Sequence, residues 1–308
     1  MGERDQTIAV RPVAGGADPG SSLTRPGTRA AGANNPAFDR LAMSLPLGGL
    51  LVLLLLYPMT LLVLQSLRPA DGPGISSYLL LFTERPYRLA LFHSVILSAI
   101  VAFVSTLICL APAWLFANEK FAGKNLVRAF FTLPMSFSGI IVGFLAVIMV
   151  GRIGAVPQLF ERLTGNAYTA GWAYQLSGLV LAYLYFEIPR ATLTLESALK
   201  KFDPHLAVAA RSLGADAWQR FRFVVLPLIW RPLVSTFAVT FTVSLGSFGV
   251  ALVLSKRFSV LPLEIYQQIT GFGTPSLMAA MAVTLIAIAL TINLLVRQIG
   301  AGETARTA

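Results

Sequence analysis

Glu187 and Arg190 stand three residues apart beside an apolar run, with Pro189 between them. On a helix that spacing places an acid and a base on one face, where they can pair across a turn. Ionisable groups inside a lipid-spanning stretch either line a polar pathway or form a structural pair or interfacial anchor, and both readings stand for Glu187 and Arg190. A second stretch, Ser244-Leu245-Gly246-Ser247-Phe248-Gly249, is rich in small residues, which let helix backbones approach closely. The other reactive side chains build no catalytic or metal site. His93 and His205 are remote from one another and neither has a Cys or carboxylate cluster, so no metal site is expected. Cys109 is the one cysteine, which leaves no internal disulfide. No Ser-His or paired-Asp constellation falls within the apolar stretches, so no catalytic residues and no enzyme activity are expected. Gly123-Lys124 is the one Gly-Lys pair, but Asn118 and Asn125 replace the Gly and the Ser or Thr of a phosphate-binding loop. The chain therefore binds no nucleotide or other cofactor by this reading.

The elements that position these residues follow from where charge is absent. Charged residues make up 12% of the 308 and hydrophobic ones 56%, with mean hydropathy +0.71, more apolar surface than a soluble fold can hide. Residues 41–67, 89–118, 129–151, 163–186, 232–255 and 265–296 contain no Asp, Glu, Lys or Arg. About 20 apolar residues in a helix cross a hydrocarbon core about 30 Å thick, so each gap is long enough for one span. A barrel would alternate apolar and polar residues, and runs such as 50–56 and 286–290 do not. The expected fold is an all-α polytopic membrane protein with six transmembrane helices, at about 41–67, 92–117, 129–151, 174–198, 232–255 and 276–296. The last five lie in a core over 89–297. The fourth is the least apolar, since its gap opens with a polar stretch and its apolar part ends at Glu187.

Six spans put both termini on one side. The tails and the loops at 117–128 and 187–231 hold 17 of the 24 basic residues, and the remaining loops hold 7. That bias places both termini in the cytoplasm and accounts for most of the +10 net charge. The basic residues are spread among loops rather than gathered on one face, so a nucleic-acid partner is not expected. Residues 1–40, with six Gly and four Pro in the first 37, read as a disordered cytoplasmic tail, and 298–308 as a second tail. No cleaved signal is expected, because the first apolar run comes late and lacks a small-residue cleavage site.

The longest loop, 199–231, lies between the fourth and fifth spans. Asp203 followed by Pro204 fits a helix start and Gly214 a stop. A helix over 204–213 would put Leu206, Ala209, Ala210 and Leu213 on one face. A second short helix would run from about Asp216 into Leu226 and Pro227. An interfacial amphipathic linker is the plain alternative. A DNA-binding helix-turn-helix is not, because Trp218, Phe221, Phe223, Val224 and Val225 run straight into a span.

This loop resembles the signature of the inner-membrane permease subunits of binding-protein-dependent ATP-binding-cassette importers. The family pattern is Glu-Ala-Ala, three residues, Gly, nine residues, Ile, one residue, Leu-Pro. Here Ala209, Ala210, Gly214, Val224, Leu226 and Pro227 fall at those places, and Val208 stands where the glutamate would be. Asp203-Pro204, Trp218, Phe221 and Pro232 also look like the family. The 244–249 stretch is similar to its Gly-acid-Phe-Gly segment near the translocation path, with Ser247 in the acid's place beside Phe248.

The resemblance implies an inner (plasma) membrane permease whose 203–227 loop forms a coupling helix seated on a separate ATPase, which hydrolyses the ATP. It implies as partners a cytoplasmic ATP-binding-cassette ATPase dimer, a second permease subunit, homologous or identical, and an extracytoplasmic substrate-binding protein, all around the lipid bilayer. Glu187, Arg190, Ser247 and Phe248 are the candidate pathway residues. Stretches such as 185–189 and 261–266 resemble permeases for polyamines, ferric iron, thiamine, sulfate or phosphonates, with a polyamine placed first. The rival reading is a self-sufficient secondary transporter or channel, which would need a coupling-ion site of its own.

Overall fold

The computed structural model describes residues 36–68, 75–165, 172–202, 205–255, 258–271 and 273–301. Asp203, Pro204 and the stretch before Pro36 lie outside the described residues. The described chain is helical, with no strand among these residues. The helices are α1 (Pro36–Ser66), α2 (Ser76–Thr83), α3 (Arg85–Asn118), α4 (Lys124–Thr132), α5 (Gly139–Val150), α6 (Ala155–Thr164) and α7 (Leu176–Leu199). They continue as α8 (His205–Ser212), α9 (Ala217–Arg220), α10 (Leu226–Gly246), α11 (Gly249–Leu254), α12 (Leu261–Thr270) and α13 (Pro275–Ala301).

The chain divides into two units at Leu55–Leu56. The first holds the opening part of α1, whose Leu-rich side chains from Leu50 on are exposed. α1 begins at Pro36, inside the stretch expected as tail, with proline at a position where its missing N–H costs nothing.

Within the second unit α3 packs against α7 and α10, α10 also packs against α7 and α13, and α5 packs against α11. Two of the expected spans are interrupted. The one expected over 129–151 stops at Thr132, passes through a 3-10 turn at Leu133–Ser136 and restarts as α5 at Gly139. Pro134 cannot donate the hydrogen bond that would continue the first helix. The one expected over 232–255 starts earlier, at Leu226, and breaks at Ser247 before α11.

The two breaks are packed on one another. A Cβ on Gly249 would lie 2.8 Å from the Ile140 nitrogen and 3.0 Å from the Gly139 carbonyl carbon. One turn on, a Cβ on Gly143 would lie 2.8 Å from the Val253 Cβ. Only glycine permits this approach of α5 and α11, the close packing that small residues serve in membranes.

Among the described residues five stretches, not six, are long and apolar enough on their own to cross a membrane: Gly48–Ser66, Arg85–Asn118, Gly139–Thr164, Trp218–Gly246 and Pro275–Gln298. α7 is not among them. Its 24 residues would reach about 36 Å, but Glu187, Arg190 and Glu196 dilute its apolar character. Thirteen of its residues are buried, so the helix that carries these charges is surrounded by protein more than any other long helix described. Burial among neighbours is the condition under which ionisable groups persist in such a setting.

Candidate functional site

The loop after α7 folds as a helical hairpin. α8 is stopped by Gly214, two residues past its end, whose φ of +85° is the left-handed conformation that favours glycine. The Gly214 N–H donates to the Arg211 carbonyl at 3.0 Å and the Ala215 N–H to the Ala210 carbonyl at 3.1 Å. That paired pattern is a Schellman stop, and it satisfies two carbonyls the helix would otherwise leave open. α9 then starts with a reciprocal cap. The Gln219 N–H donates to Asp216 Oδ1 at 2.7 Å, and Gln219 Nε2's partner oxygen, Oε1, accepts from the Asp216 N–H at 3.0 Å. Leu206 and Ala209 of α8 are exposed, Ala210 is half-buried, and Leu213, Trp218 and Phe223 stand out at 88%, 65% and 70% exposure. A π-helical turn, Phe221–Val225, joins α9 to α10, where Leu226 is half-buried and Pro227 exposed in the first turn. Of the residues named for this loop, Asp203 and Pro204 are the ones outside the described residues.

Just ahead of the hairpin, Glu196 of α7 is fully buried between two cations. Lys200 Nζ lies 2.7 Å from Oε1 and Arg128 NH2, from α4, 3.2 Å from Oε2. The contacts are not aligned as hydrogen bonds, so charge is what holds them. Arg128 and Lys200 keep 40% and 46% of their side chains exposed, which spares them most of the desolvation cost. This clamp ties α4 to the end of α7. The sequence reading passed over it because Arg128 and Glu196 are brought together by packing alone; a carboxylate on a helix expected to lie in lipid was the available signal.

Farther along α7, Glu187 is completely buried with Arg190 Nε 3.8 Å from its Oε2. The distance makes an ion pair without a hydrogen bond. The Arg190 guanidinium lies 6.0 Å from the Phe186 ring centroid. Tyr183, one turn before Glu187 and also missed in the sequence, donates its hydroxyl to the Ser247 carbonyl oxygen at 2.6 Å. α7 is thereby tied to the break between α10 and α11. Phe248 packs in the same cluster as Tyr183 and Phe186, and its ring lies 4.9 Å from that of Tyr266. The four candidate pathway residues thus fall in one region, organised by Tyr183. In the 244–249 stretch, Gly249 serves close packing while Gly246 has open space around it.

His93, at the start of α3, stacks on Phe258 and contacts the Ser259 carbonyl at 3.1 Å, and Ser259 donates to Glu264 at 2.5 Å. This joins α3 to the turn before α12. Among the described residues no group of three or more metal-type ligands comes together.

Residues 108–302, well over half the chain, match the family model described as binding-protein-dependent transport system inner membrane component. The chain belongs to that family. The permease is 26% identical over 261 residues to the sulfate transport system permease protein CysW of Synechocystis, covering 81% of this chain and 91% of that protein. It is 28% identical over 240 residues to the sulfate transport system permease protein CysT of Escherichia coli, covering 76% and 83%. Other relatives at similar identity are named for molybdenum and ferric transport. The fold matches that of a bacterial alginate ABC transporter solved with a periplasmic protein carrying an alginate pentasaccharide, with TM-score 0.73 at 18% identity, over 90% of this chain and 99% of that one. The permease is therefore a membrane-embedded importer component, not an enzyme. Its relatives lend no support to a self-sufficient transporter or channel. These relatives are named for sulfate, molybdenum and ferric transport and lend no support to the polyamine placed first by sequence resemblance.

Proposed function

We propose that the permease forms half of a substrate pathway and is driven through the α8–α9 hairpin by a separate cytoplasmic ATPase dimer, which hydrolyses the ATP. The observation that carries this reading is the hairpin itself. Its turn is built by specific caps on both sides, yet Leu206, Leu213, Trp218 and, just after the hairpin, Phe223 are left exposed. Large apolar side chains grouped on a rigid, exposed element mark a surface for another protein. A partner can switch a permease between two states only by binding them differently, and a preformed hairpin joined to α7 and α10 supplies that handle.

In this reading α7 is the fourth of six spans, shielded by its neighbours, and both termini are cytoplasmic, as the distribution of Lys and Arg favours. The pathway is completed by a second permease, homologous or identical, and an extracytoplasmic binding protein delivers the substrate. The substrate is a tetrahedral oxyanion of the sulfate or molybdate type, with ferric iron second. The names of the relatives support this. Uptake by cells that have this permease with its ATPase and binding protein as their sole route tests the substrate. Labelled sulfate or molybdate should accumulate and compete with one another. Accumulation of a polyamine or ferric iron alone would reject the oxyanion. Uptake of any of them without an ATPase would reject the coupling.

A further inference from the structure

Near the hairpin the junction of α3, α7 and α10 is dry: Cys109 and Ala113 of α3, Ala191 and Leu195 of α7 and Ile229 of α10 form one buried cluster, with Leu233 packed against it. Along each helix the same face then turns polar. On α10, Thr236, Thr240 and Ser244, spaced four apart, continue the stripe of Ile229 and Leu233. On α7, Glu187 lies one turn before Ala191, and on α3, Ser98 lies three turns before Cys109. All five polar side chains are at most 2% exposed, and none of the hydroxyl or carboxylate oxygens has a hydrogen-bond partner within the protein. Buried polar groups in proteins are almost always satisfied, and where protein partners are missing, ordered water supplies them. Five such groups on three mutually packed helices, one of them a carboxylate, form a site.

We infer that the polar end of the α3–α7–α10 junction is a hydration site, in which bound water bridges Ser98, Glu187, Thr236, Thr240 and Ser244. Hydroxyls can both donate to and accept from water, whereas the carboxylate only accepts, so water is a ligand that satisfies the whole set. The site ends where Tyr183, one turn from Glu187, donates to Ser247 at the α10–α11 break. The water stabilises a carboxylate that Arg190, at 3.8 Å, leaves without a hydrogen bond. The inference does not depend on which substrate is carried or on how the ATPase docks.

The test is radiolytic footprinting of the full permease, assembled with its ATPase in lipid nanodiscs, since radicals formed from bound water label the rings beside it. Tyr183, 1% exposed, should be labelled several-fold faster than Phe103, which is 63% exposed in the middle of the charge-free 89–118 stretch. Thr240→Val combined with Ser244→Ala should cut Tyr183 labelling several-fold. Thr240→Ser, which keeps the hydroxyl and guards against a simple folding defect, should leave it at the wild-type rate. Tyr183 labelling no faster than that of Phe103 overturns the inference. So does labelling that the hydroxyl-free variant leaves unchanged, or that Thr240→Ser lowers equally.

Discussion

The Tyr183 hydroxyl and the Ser247 carbonyl oxygen are 2.6 Å apart, a short hydrogen bond that fastens the middle of α7 to the point where α10 gives way to α11. An interrupted helix leaves backbone carbonyls without helical partners, and a buried tyrosine is well suited to satisfy one, since its ring packs while its hydroxyl donates. Tyr183→Phe keeps the ring, which lies 5.9 Å from that of Phe186, and removes the donor. It should lower the thermal stability of the purified permease by about 0.5–1.5 kcal/mol. An unchanged melting temperature would mean that the break is held without this bond.

Gly249 and Gly246 make opposite predictions three residues apart. Gly249→Ala drives a Cβ into the backbone of Gly139 and Ile140, which cannot give way as a flexible side chain would, and should cost about 1–3 kcal/mol. Gly246→Ala meets nothing within 4 Å and should be neutral or slightly stabilising. Thermal unfolding of the two variants side by side separates them. Equal melting temperatures would contradict the close packing of α5 on α11.

Glu196 is held by Arg128 from α4 and by Lys200 from its own helix. Glu196→Gln keeps the shape and removes the charge. Because both cations are partly in solvent, the loss should be about 1–3 kcal/mol rather than the larger cost of a fully buried pair. Arg128→Ala should reproduce part of that loss, and adding it to Glu196→Gln should cost little more. Strict additivity in a double-mutant cycle would show that the two side chains act separately.

Glu187→Gln should insert normally and transport more slowly, because it removes the charge of the one buried carboxylate beside the candidate pathway residues Ser247 and Phe248. Uptake normalised to the amount of permease in the membrane is the measurement. Wild-type uptake would leave Glu187 with a structural role in pairing Arg190.

Much of this architecture was legible before folding. The charge-free gaps correspond to α1, α3 and α13 with little ambiguity, since length and hydropathy alone decide such helices. The Gly214 stop was legible too, because a left-handed stop has a residue preference of its own. Pro134 marks the break at Leu133–Ser136 locally, but the break at Ser247 has no such mark. The packing of the two depends on the approach of Gly139 to Gly249, residues 110 positions apart, and no local pattern reports a contact of that kind. α7 shows the same limit from the other side. Its three charges make it poor as a lone membrane helix, and its burial against α3 and α10 is a tertiary fact. Tyr183, Arg128 and Glu196 were overlooked because their partners come from other helices or from the backbone.

The central claim is that ATP drives transport through the α8–α9 hairpin, and ATP-dependent uptake into proteoliposomes holding the permease, its ATPase and its binding protein tests it most directly. Gly214 sits at φ +85°, which proline, fixed near −65°, cannot adopt, whereas Asn can. Gly214→Pro should abolish ATP-dependent uptake and ATPase co-purification in correctly inserted permease, while Gly214→Asn retains most of both. Full uptake by Gly214→Pro, or uptake that proceeds with no ATPase present, would contradict the account.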